Sequence, residues 1–273
     1  MAAPDDELLA RARDGDARAI DALLERHQAQ IYRFGLRLCR DPEDARDVLQ
    51  ETLLAMARGV RDFRGASSLS TWLYTIARSY CIKKRRRKKH APAALRSLDT
   101  DAAAEVARIP HPGPDAHEAL AHKDVGQALE AALGHLDPRS REVLVLRDVE
   151  GLTAPEVADV LGVSAQAVKS RLHRARLAVR AELAPLLGME APRDERCPDV
   201  LSLFSRHLED EISADVCLSM ERHLANCARC RGACDSLRRT LAICHSAGSA
   251  IEVPAEVQAS VKDAVRALVA RNA

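Results

Sequence analysis

The chain has 273 residues, enough for two or three small domains, and its formal net charge is only +1. Because positive and negative charges nearly cancel, the molecule as a whole has no strong electrostatic attraction to nucleic acid. Any DNA affinity must therefore come from local basic patches. Aromatic residues make up only 3% of a chain in which alanine, leucine, valine and arginine dominate, a composition that predicts an all-α fold.

The sequence carries no sign of a membrane segment. It has no run of about 18 apolar residues, and its N-terminus lacks the basic and apolar regions of a signal peptide. We therefore expect a cytoplasmic protein. Thiols stay reduced in that compartment, so clustered cysteines favour metal binding or redox chemistry over structural disulfides. Two cysteines that lie apart from the others, Cys39 and Cys81, are interpreted as small core residues.

The first predicted domain spans residues 1–90. Apolar residues between Ala19 and Ile31 recur at the spacing of one buried helical face, which predicts a helix. Asp41 is a predicted N-cap for the next helix, because Pro42 follows it and acidic residues fill the first turn.

A further helix in this domain carries the only tryptophan of the chain, Trp72, after a serine-rich loop. It continues into seven consecutive cations, Lys83 to Lys89. Cations that hold phosphates, next to an aromatic ring that stacks on an unpaired base, are typical of binding to single-stranded or melted DNA. A solvated charged face is the alternative that spacing alone leaves open.

Residues 91–116 contain several prolines and no sustained periodicity, so they are predicted to form a flexible linker. Residues 117–187 then show the pattern of a helix-turn-helix. Asp137, Thr153 and Ser164 are the predicted N-caps of its helices, and Glu156 completes a capping box with Thr153. Gly162 is the predicted turn residue.

The last helix of this second domain has no acidic residue from Ser164 to Ala181. Val168 and Leu172 mark its inner face. A recognition helix needs donors for guanine edges and phosphates on its outer face, and the basic side chains supply them. These side chains are Lys169, Arg171, His173, Arg174, Arg176 and Arg180. A solvated basic helix is the alternative.

Residues 41–52 and 63–78 resemble region 2 of the extracytoplasmic-function (ECF) group of sigma-70-type RNA polymerase sigma factors, and residues 136–176 resemble region 4. Both regions occur in the order of that family over about residues 5–187. The resemblance implies that the chain binds RNA polymerase core and promoter DNA. It also implies that the chain is not an enzyme, since the polymerase performs the chemistry.

The resemblance implies roles for individual residues. The residues expected to bind polymerase are Asp47, Val48, Gln50 and Glu51. The residues expected to capture a flipped base of the −10 element are Ser67 and Ser68 of the loop, with Trp72 and Arg78 behind it. The residues expected to bind DNA at the −35 element are Lys169, Ser170, Arg171, His173 and Arg174. Ser79 stands where the family often has asparagine, so the −10 sequence is not inferred.

A second predicted linker, residues 188–196, leads to a cysteine-rich domain over residues 197–273. His223, Cys227, Cys230 and Cys234 are spaced four, three and four residues apart, so on a continuous helix all four would share one face. Thiolate and imidazole groups at this spacing suit zinc or a softer metal, and Cys197 is the candidate for a fourth ligand. A core stripe of small apolar thiols is the alternative.

This domain resembles the zinc-binding anti-sigma fold at Cys197, at residues 210–213 and at residues 223–230. Its six cysteines also make it similar to the metal-responsive, CorE-like ECF factors, which implies control by copper, cadmium or zinc. Three cysteines exceed the needs of one tetrahedral site, and they are expected either to bind metal or to form a disulfide on oxidation. These are Cys217, Cys234 and Cys244.

Val257, Val261, Val265 and Leu268 recur at helical spacing near the C-terminus. We expect an amphipathic helix that either packs on the sigma domains or caps the cysteine-rich domain.

The sequence therefore predicts an all-α transcription initiation factor with two promoter-binding helical domains and a small metal-binding domain that regulates it in cis. Two alternatives stay open. One is a sigma factor whose zinc is purely structural and helps to dock a partner. The other is a metal-sensing DNA-binding regulator that acts without polymerase.

Overall fold

The computed structural model describes residues 5–90, 116–187, 197–247 and 251–272. Every regular element in these ranges is a helix, which confirms the predicted all-α fold. None of these helices is long and apolar enough to cross a membrane. The two predicted linkers, residues 91–116 and 188–196, lie outside the described residues, except that Ala116 begins a helix.

In chain order the helices are α1 (Asp5–Arg13), α2 (Ala17–Cys39), α3 (Pro42–Gly59), α4 (Leu69–His90), α5 (Ala116–His135), α6 (Pro138–Leu144), a π-helical turn (Val145–Val149), α7 (Ala154–Leu161), α8 (Ala165–Leu183), α9 (Val200–His207), α10 (Ala214–Asn226), α11 (Ala228–Ala247) and α12 (Ala255–Asn272). The chain divides into two compact units. Unit 1 comprises residues 1–109, 159–161 and 251–273, and unit 2 comprises residues 110–158 and 162–250.

Unit 1 is built on α2, α3 and α4, which pack around a common core. The predicted cap of α3 is confirmed, because the Asp41 carboxylate accepts hydrogen bonds from the backbone N–H groups of Glu43 and Asp44 at 2.8 and 3.1 Å. In the core, the rings of Phe34 and Tyr74 meet edge to face with their centroids 5.1 Å apart. These contacts fix α4, the helix that carries Trp72 and the basic run.

The C-terminal helix α12 belongs to unit 1 and packs on α2 and α3. The four apolar side chains that predicted this helix are all buried: Val257, Val261, Val265 and Leu268. Ion pairs flank the apolar face, with Lys262 2.5 Å from Glu25 and Arg266 3.3 Å from Asp21. Of the two expectations for this segment, the structure supports packing on the first domain.

Unit 2 contains the helix-turn-helix apart from residues 159–161. Thr153 and Glu156 form the expected capping box at the start of α7, and Gly162 adopts the left-handed conformation with φ 65° in the turn. Ser164 caps α8 by accepting a hydrogen bond from the backbone N–H of Ala167. One feature was not anticipated: the helix that begins at Pro138 continues as a π-helical turn before Gly151.

The cysteine-rich segment of unit 2 forms α9, α10 and α11 around a small core that includes Phe204, Met220 and Leu237. The chain from His223 to Cys234 does not form one continuous helix. Helix α10 ends at Asn226, Cys227 is extended, and α11 begins at Ala228. The backbone break matters because it changes which cysteines meet.

Candidate metal centre and nucleic-acid-binding surfaces

Four of the predicted metal ligands come together in the cysteine-rich segment. They form the metal cluster, which consists of Cys197, His223, Cys227 and Cys230. One potential ligand atom from each lies within 4.8 Å of the others, and among the described residues no other group of three or more such side chains is this close. Only Cys230 is buried, and the other three are half-buried, so a metal ion has access.

The spacing of the ligand atoms fits a tetrahedral metal. The Sγ atoms of Cys197 and Cys227 are 4.0 Å apart, and Nε2 of His223 lies 3.2 Å from Sγ of Cys230. Two sulfurs that share one tetrahedral zinc at bond lengths of about 2.3 Å stand about 3.8 Å apart. Three cysteines and one histidine are a common structural zinc set, so the residues present fit zinc in number, type and distance.

The four ligands come from separate elements. Cys197 precedes α9, His223 lies in the last turn of α10, and Cys227 and Cys230 lie at the start of α11. The extended backbone at Cys227 turns the chain, so that its thiol faces Cys197 instead of following the helix. A bound metal therefore cross-links the beginning of this segment to its α10–α11 corner.

Two thiols of the cluster differ in their acidity. Burial raises the pKa of the Cys230 thiol to about 12. The backbone N–H of Cys230 donates to the Cys227 sulfur, and this hydrogen bond lowers the pKa of Cys227. Cys230, like any thiol, loses this proton when it becomes a metal ligand.

The remaining cysteines of the tail do not join the metal cluster. Cys234 and Cys244 are buried on α11, and burial raises the pKa of Cys234. Cys217 on α10 is half-buried, and its sulfur lies 3.8 Å from Nδ1 of His207 and 3.7 Å from Glu221. His207 and Glu221 do not complete a metal site around Cys217. The three cysteines Cys217, Cys234 and Cys244 are therefore not brought together as ligands.

The predicted recognition helix α8 contacts an acidic segment that follows α9. Lys169 donates to the backbone carbonyl of Glu209, and Gln166 donates to the carboxylate of Glu211 at 3.0 Å. Ser170 and Arg174 are exposed, whereas Arg171 and His173 are half-buried. The Nδ1 atom of His173 is buried without a hydrogen-bond partner among the described residues, and burial lowers the pKa of this histidine.

Arg176 of α8 forms the centre of a buried ion cluster with Asp148 and Glu209. Its guanidinium donates twice to Asp148, at 2.6 and 2.8 Å, and once to Glu209, at 2.7 Å. The side chains of all three residues are at most 6% exposed. Arg147 adds a hydrogen bond to Glu209 at 3.3 Å. The ion cluster thus joins the helix-turn-helix to the cysteine-rich segment inside unit 2.

Arg176 does not lie on the outer face where the sequence placed it. The positions Val168, Leu172, Ala175 and Val179 define the buried side of α8, and Arg176 falls beside them. The sequence did contain a sign of this position. Arg176 lies four residues after Leu172, so the two side chains share one face of the helix. The role of Glu209 was also missed, although the acidic run at 209–211, which follows the basic helix α8 in the sequence, indicated a candidate partner for it.

In unit 1, the predicted polymerase-binding residues divide into two groups. Asp47 and Glu51 are exposed, and with Gln50 they line an open groove of about 360 Å³ between α3 and α4. Basic and aromatic side chains of α4 form the opposite wall: Tyr80, Lys83, Lys84 and Arg87. Val48 is fully buried, so its side chain supports the core and is not available to a partner.

The residues predicted to hold the −10 element surround the start of α4. Trp72 is half-buried and stacks on Phe63 with the ring centroids 4.9 Å apart. Helix α4 begins at Leu69, and Ser68 accepts a hydrogen bond from the backbone N–H of Thr71. Ser67 and Arg78 are half-buried, and Ser68 is exposed. The Phe63–Trp72 stack offers an aromatic edge beside this polar loop.

Comparison with known proteins gives a consistent picture. Family models for Sigma-70 region 2, Sigma-70 region 4 and a zinc finger match residues 23–91, 126–179 and 197–231. The ECF RNA polymerase sigma factor SigM of Mycobacterium tuberculosis is 34% identical over 184 residues, covering 67% of this chain and 85% of SigM.

Two further relatives have similar coverage. The RNA polymerase sigma-H factor of Pseudomonas aeruginosa is 33% identical, covering 67% of this chain and 95% of that protein. The RNA polymerase sigma factor CnrH of Cupriavidus metallidurans is 32% identical, covering 68% of this chain and 95% of CnrH. The zinc-finger match begins after the segments that resemble sigma regions 2 and 4, at the first cysteine of the metal cluster.

Proposed function

Because the chain belongs to the ECF group of RNA polymerase sigma factors, which direct transcription initiation, we propose that its cysteine-rich extension regulates it in cis by binding a metal. A sigma factor binds RNA polymerase core and recognises the promoter, while the polymerase performs the catalysis. The extension then acts by covering the surfaces that the sigma domains need for these contacts.

In this proposal the −35 element binds α8 through Lys169, Ser170, Arg171, His173 and Arg174. The −10 element binds the loop and helix around Ser67, Ser68, Trp72 and Arg78. The polymerase binds α3 through the exposed Asp47 and Glu51 and the half-buried Gln50. The two DNA-binding sets place donors or an aromatic ring where nucleic acid needs them. Asp47 and Glu51 instead offer carboxylates, which suit basic groups of a partner.

One observation carries the regulatory proposal. Glu209 accepts two hydrogen bonds from α8. Its backbone carbonyl accepts one from Lys169, and its buried carboxylate accepts one from Arg176. Phosphate oxygens would make the same kind of contact with Lys169, whereas the buried Arg176 holds the acidic segment in place beside it. DNA and the acidic segment therefore compete for α8, and bound DNA requires the segment to move.

The metal cluster is linked to this contact through the chain. Cys197 and His223 flank the segment that contains Glu209, with α9 and the first part of α10 between them. Zinc in the metal cluster would supply a tetrahedral cross-link that closes this segment into a loop. The closed loop holds Glu209 against Arg176, so the metal-loaded protein is expected to be the less active form.

Run-off transcription with purified polymerase tests the proposal. The metal-free protein is compared with protein loaded with zinc, copper or cadmium, and zinc loading is expected to lower the transcript yield several-fold. A variant with Cys227→Ser and Cys230→Ser should be insensitive to zinc. The matched control is Cys217→Ser, which lies outside the metal cluster and should respond like the parent chain.

Two alternatives give different results in the same experiment. If the zinc is purely structural and serves to dock a partner, the double variant loses the fold of the cysteine-rich segment and metal identity has no effect on transcription. If the chain is a regulator that acts without polymerase, it binds duplex promoter DNA tightly on its own. Equal transcription in every metal state would overturn cis-regulation and leave the family assignment intact.

A further inference from the structure

Unit 1 contains a second sulfur site, separate from the metal cluster. Cys39, the last residue of α2, and Cys81 of α4 face each other with their Sγ atoms 2.9 Å apart. Cys81 is fully buried and Cys39 is half-buried. The interpretation of both cysteines as separate core residues therefore omitted their mutual contact.

The geometry of this pair differs from that of a metal site. Two sulfurs bound to one tetrahedral zinc stand about 3.8 Å apart, and Cys197 and Cys227 approach that value at 4.0 Å. Cys39 and Cys81 are closer than this, and no described third ligand joins them. A disulfide bond of about 2.05 Å requires the two sulfurs to approach by less than about 1 Å.

We propose that Cys39 and Cys81 form a redox-active dithiol that hydrogen peroxide converts into a disulfide between α2 and α4. The Cys39 thiolate, the more exposed of the two, attacks one peroxide oxygen and breaks the O–O bond, giving a sulfenic acid and hydroxide. The Cys81 sulfur then attacks the sulfenic sulfur and displaces hydroxide, which leaves as water. In total, two thiols and one peroxide give one disulfide and two waters.

The disulfide would fix a face of α4 that helps to form the groove in unit 1. Cys81, Lys84 and Lys88 share this face at the spacing i, i+3 and i+7. Lys84 and Lys88 both pair with Asp44 at the start of α3, at 3.3 and 3.1 Å. Oxidation would therefore lock α4 to the end of α2 beside these ion pairs and stabilise the sigma domain.

Peptide mapping of the full-length, zinc-loaded protein tests the proposal without any substitution. The protein is treated with hydrogen peroxide, remaining thiols are blocked with N-ethylmaleimide, and trypsin releases residues 38–40 and 79–83. The expected product is these two peptides joined, with a mass about 2 Da below the sum of the reduced peptides. Recovery of both peptides carrying N-ethylmaleimide would overturn the proposal.

Thermal unfolding provides a second measurement. Peroxide is expected to raise the unfolding temperature of the parent chain by several degrees relative to the Cys39→Ser variant, and dithiothreitol should reverse this shift. Cys244→Ser removes a buried cysteine of unit 2 and serves as the matched control, which should keep the shift. A peroxide shift that is the same in Cys39→Ser and in the parent would contradict a role for this pair.

Discussion

His27 is a buried histidine in α2, only 3% exposed, and it connects α2 to the first helix. Its Nε2 atom lies 3.1 Å from the Asp5 carboxylate, and its Nδ1 atom lies 2.6 Å from the side-chain amide of Gln30. Burial lowers the pKa of His27, although the nearby Asp5 acts in the opposite direction. The folded state therefore favours the neutral imidazole.

This shift predicts how stability changes with pH. The pKa of His27 in the folded state lies below its unfolded value of about 6.5, so the unfolded chain binds the proton more readily. The contribution of His27 to the free energy of unfolding is fully present above pH 6.5. It is lost as the pH falls through the pKa of His27 in the folded state. Thermal unfolding between pH 7.5 and 5.5 should show a smaller loss of stability in His27→Gln than in the parent. Equal losses in the two proteins would refute the assignment.

The Arg176 cluster shows what a single residue contributes to specificity. A buried arginine with two buried carboxylates is costly to desolvate, so this cluster is weak evidence for stability on its own. Its geometry is directional, however, because the guanidinium must meet Asp148 and Glu209 together. The cluster therefore defines one position of the acidic segment on α8.

At the scale of helices, the sequence correctly predicted the caps and turns that depend only on residues a few positions apart. Asp41, Thr153 and Gly162 act as predicted, because each satisfies backbone groups within a few residues. The break at Cys227 could not be predicted in this way. The spacing from His223 to Cys234 fits a continuous helix equally well, and the packing of α10 and α11 around the metal cluster decides between the two.

The ion cluster escaped prediction for a related reason. Its two acidic members lie 28 and 33 residues from Arg176 in the sequence. No local pattern identifies which of several cations on a basic helix will meet a carboxylate that far away. The ligand set of the metal cluster was easier to find, because three of its four members lie within eight residues.

The start of α4 supports a prediction about promoter opening. Trp72→Ala removes the ring that stacks on Phe63 and is expected to bind a melted base, whereas Trp72→Phe keeps an aromatic face. Because stacking contributes about 1–3 kcal/mol per base, the alanine variant should form open complexes about tenfold less well or worse, and the phenylalanine variant should be closer to the parent. Permanganate reactivity of thymines in the −10 region measures this.

Fluorescence gives an independent readout of the same contact. The chain has one tryptophan, so its emission reports Trp72 alone. To keep the readout specific when polymerase core is present, Trp72 is replaced by 5-hydroxytryptophan, which is excited at longer wavelength than ordinary tryptophan. A single-stranded oligonucleotide from the −10 region of a responsive promoter should then quench this emission. If the emission stays constant while open complexes form, Trp72 is a core residue and the stacking role is wrong.

At the scale of the whole molecule, each compact unit combines sigma-like helices with part of the C-terminal extension. In unit 1, α12 packs on α2 and α3, and in unit 2 the cysteine-rich segment packs on α8. The exposed ion pairs of α12 contribute little to the free energy of its contact with α2 and α3, because solvent screens them. The buried faces of Val261 and Val265, which are at most 2% exposed, provide most of the contact free energy.

If both contacts restrain the sigma factor, weakening each should raise transcription by the zinc-loaded protein. Val261→Asp places a charge in the buried face of α12, and Glu209→Gln removes the carboxylate that meets Arg176. The loss of one buried valine contact, about 1.5–3 kcal/mol, corresponds to an increase of roughly tenfold or more if that contact alone is limiting. Asp263→Ala and Asp210→Asn are matched controls, because both positions are exposed neighbours of the substituted residues.

The double variant separates two ways in which the contacts can act. If the contacts are independent, the two increases in transcription multiply, because the free energies of distant substitutions add. If release of one contact already releases the other, the double variant is no more active than the better single variant. A chain truncated before residue 251 lacks α12 and should match Val261→Asp, which would assign the effect to loss of the α12 contact and not to the introduced aspartate. Unchanged transcription in all of these variants would mean that the contacts of the extension do not restrain the sigma domains.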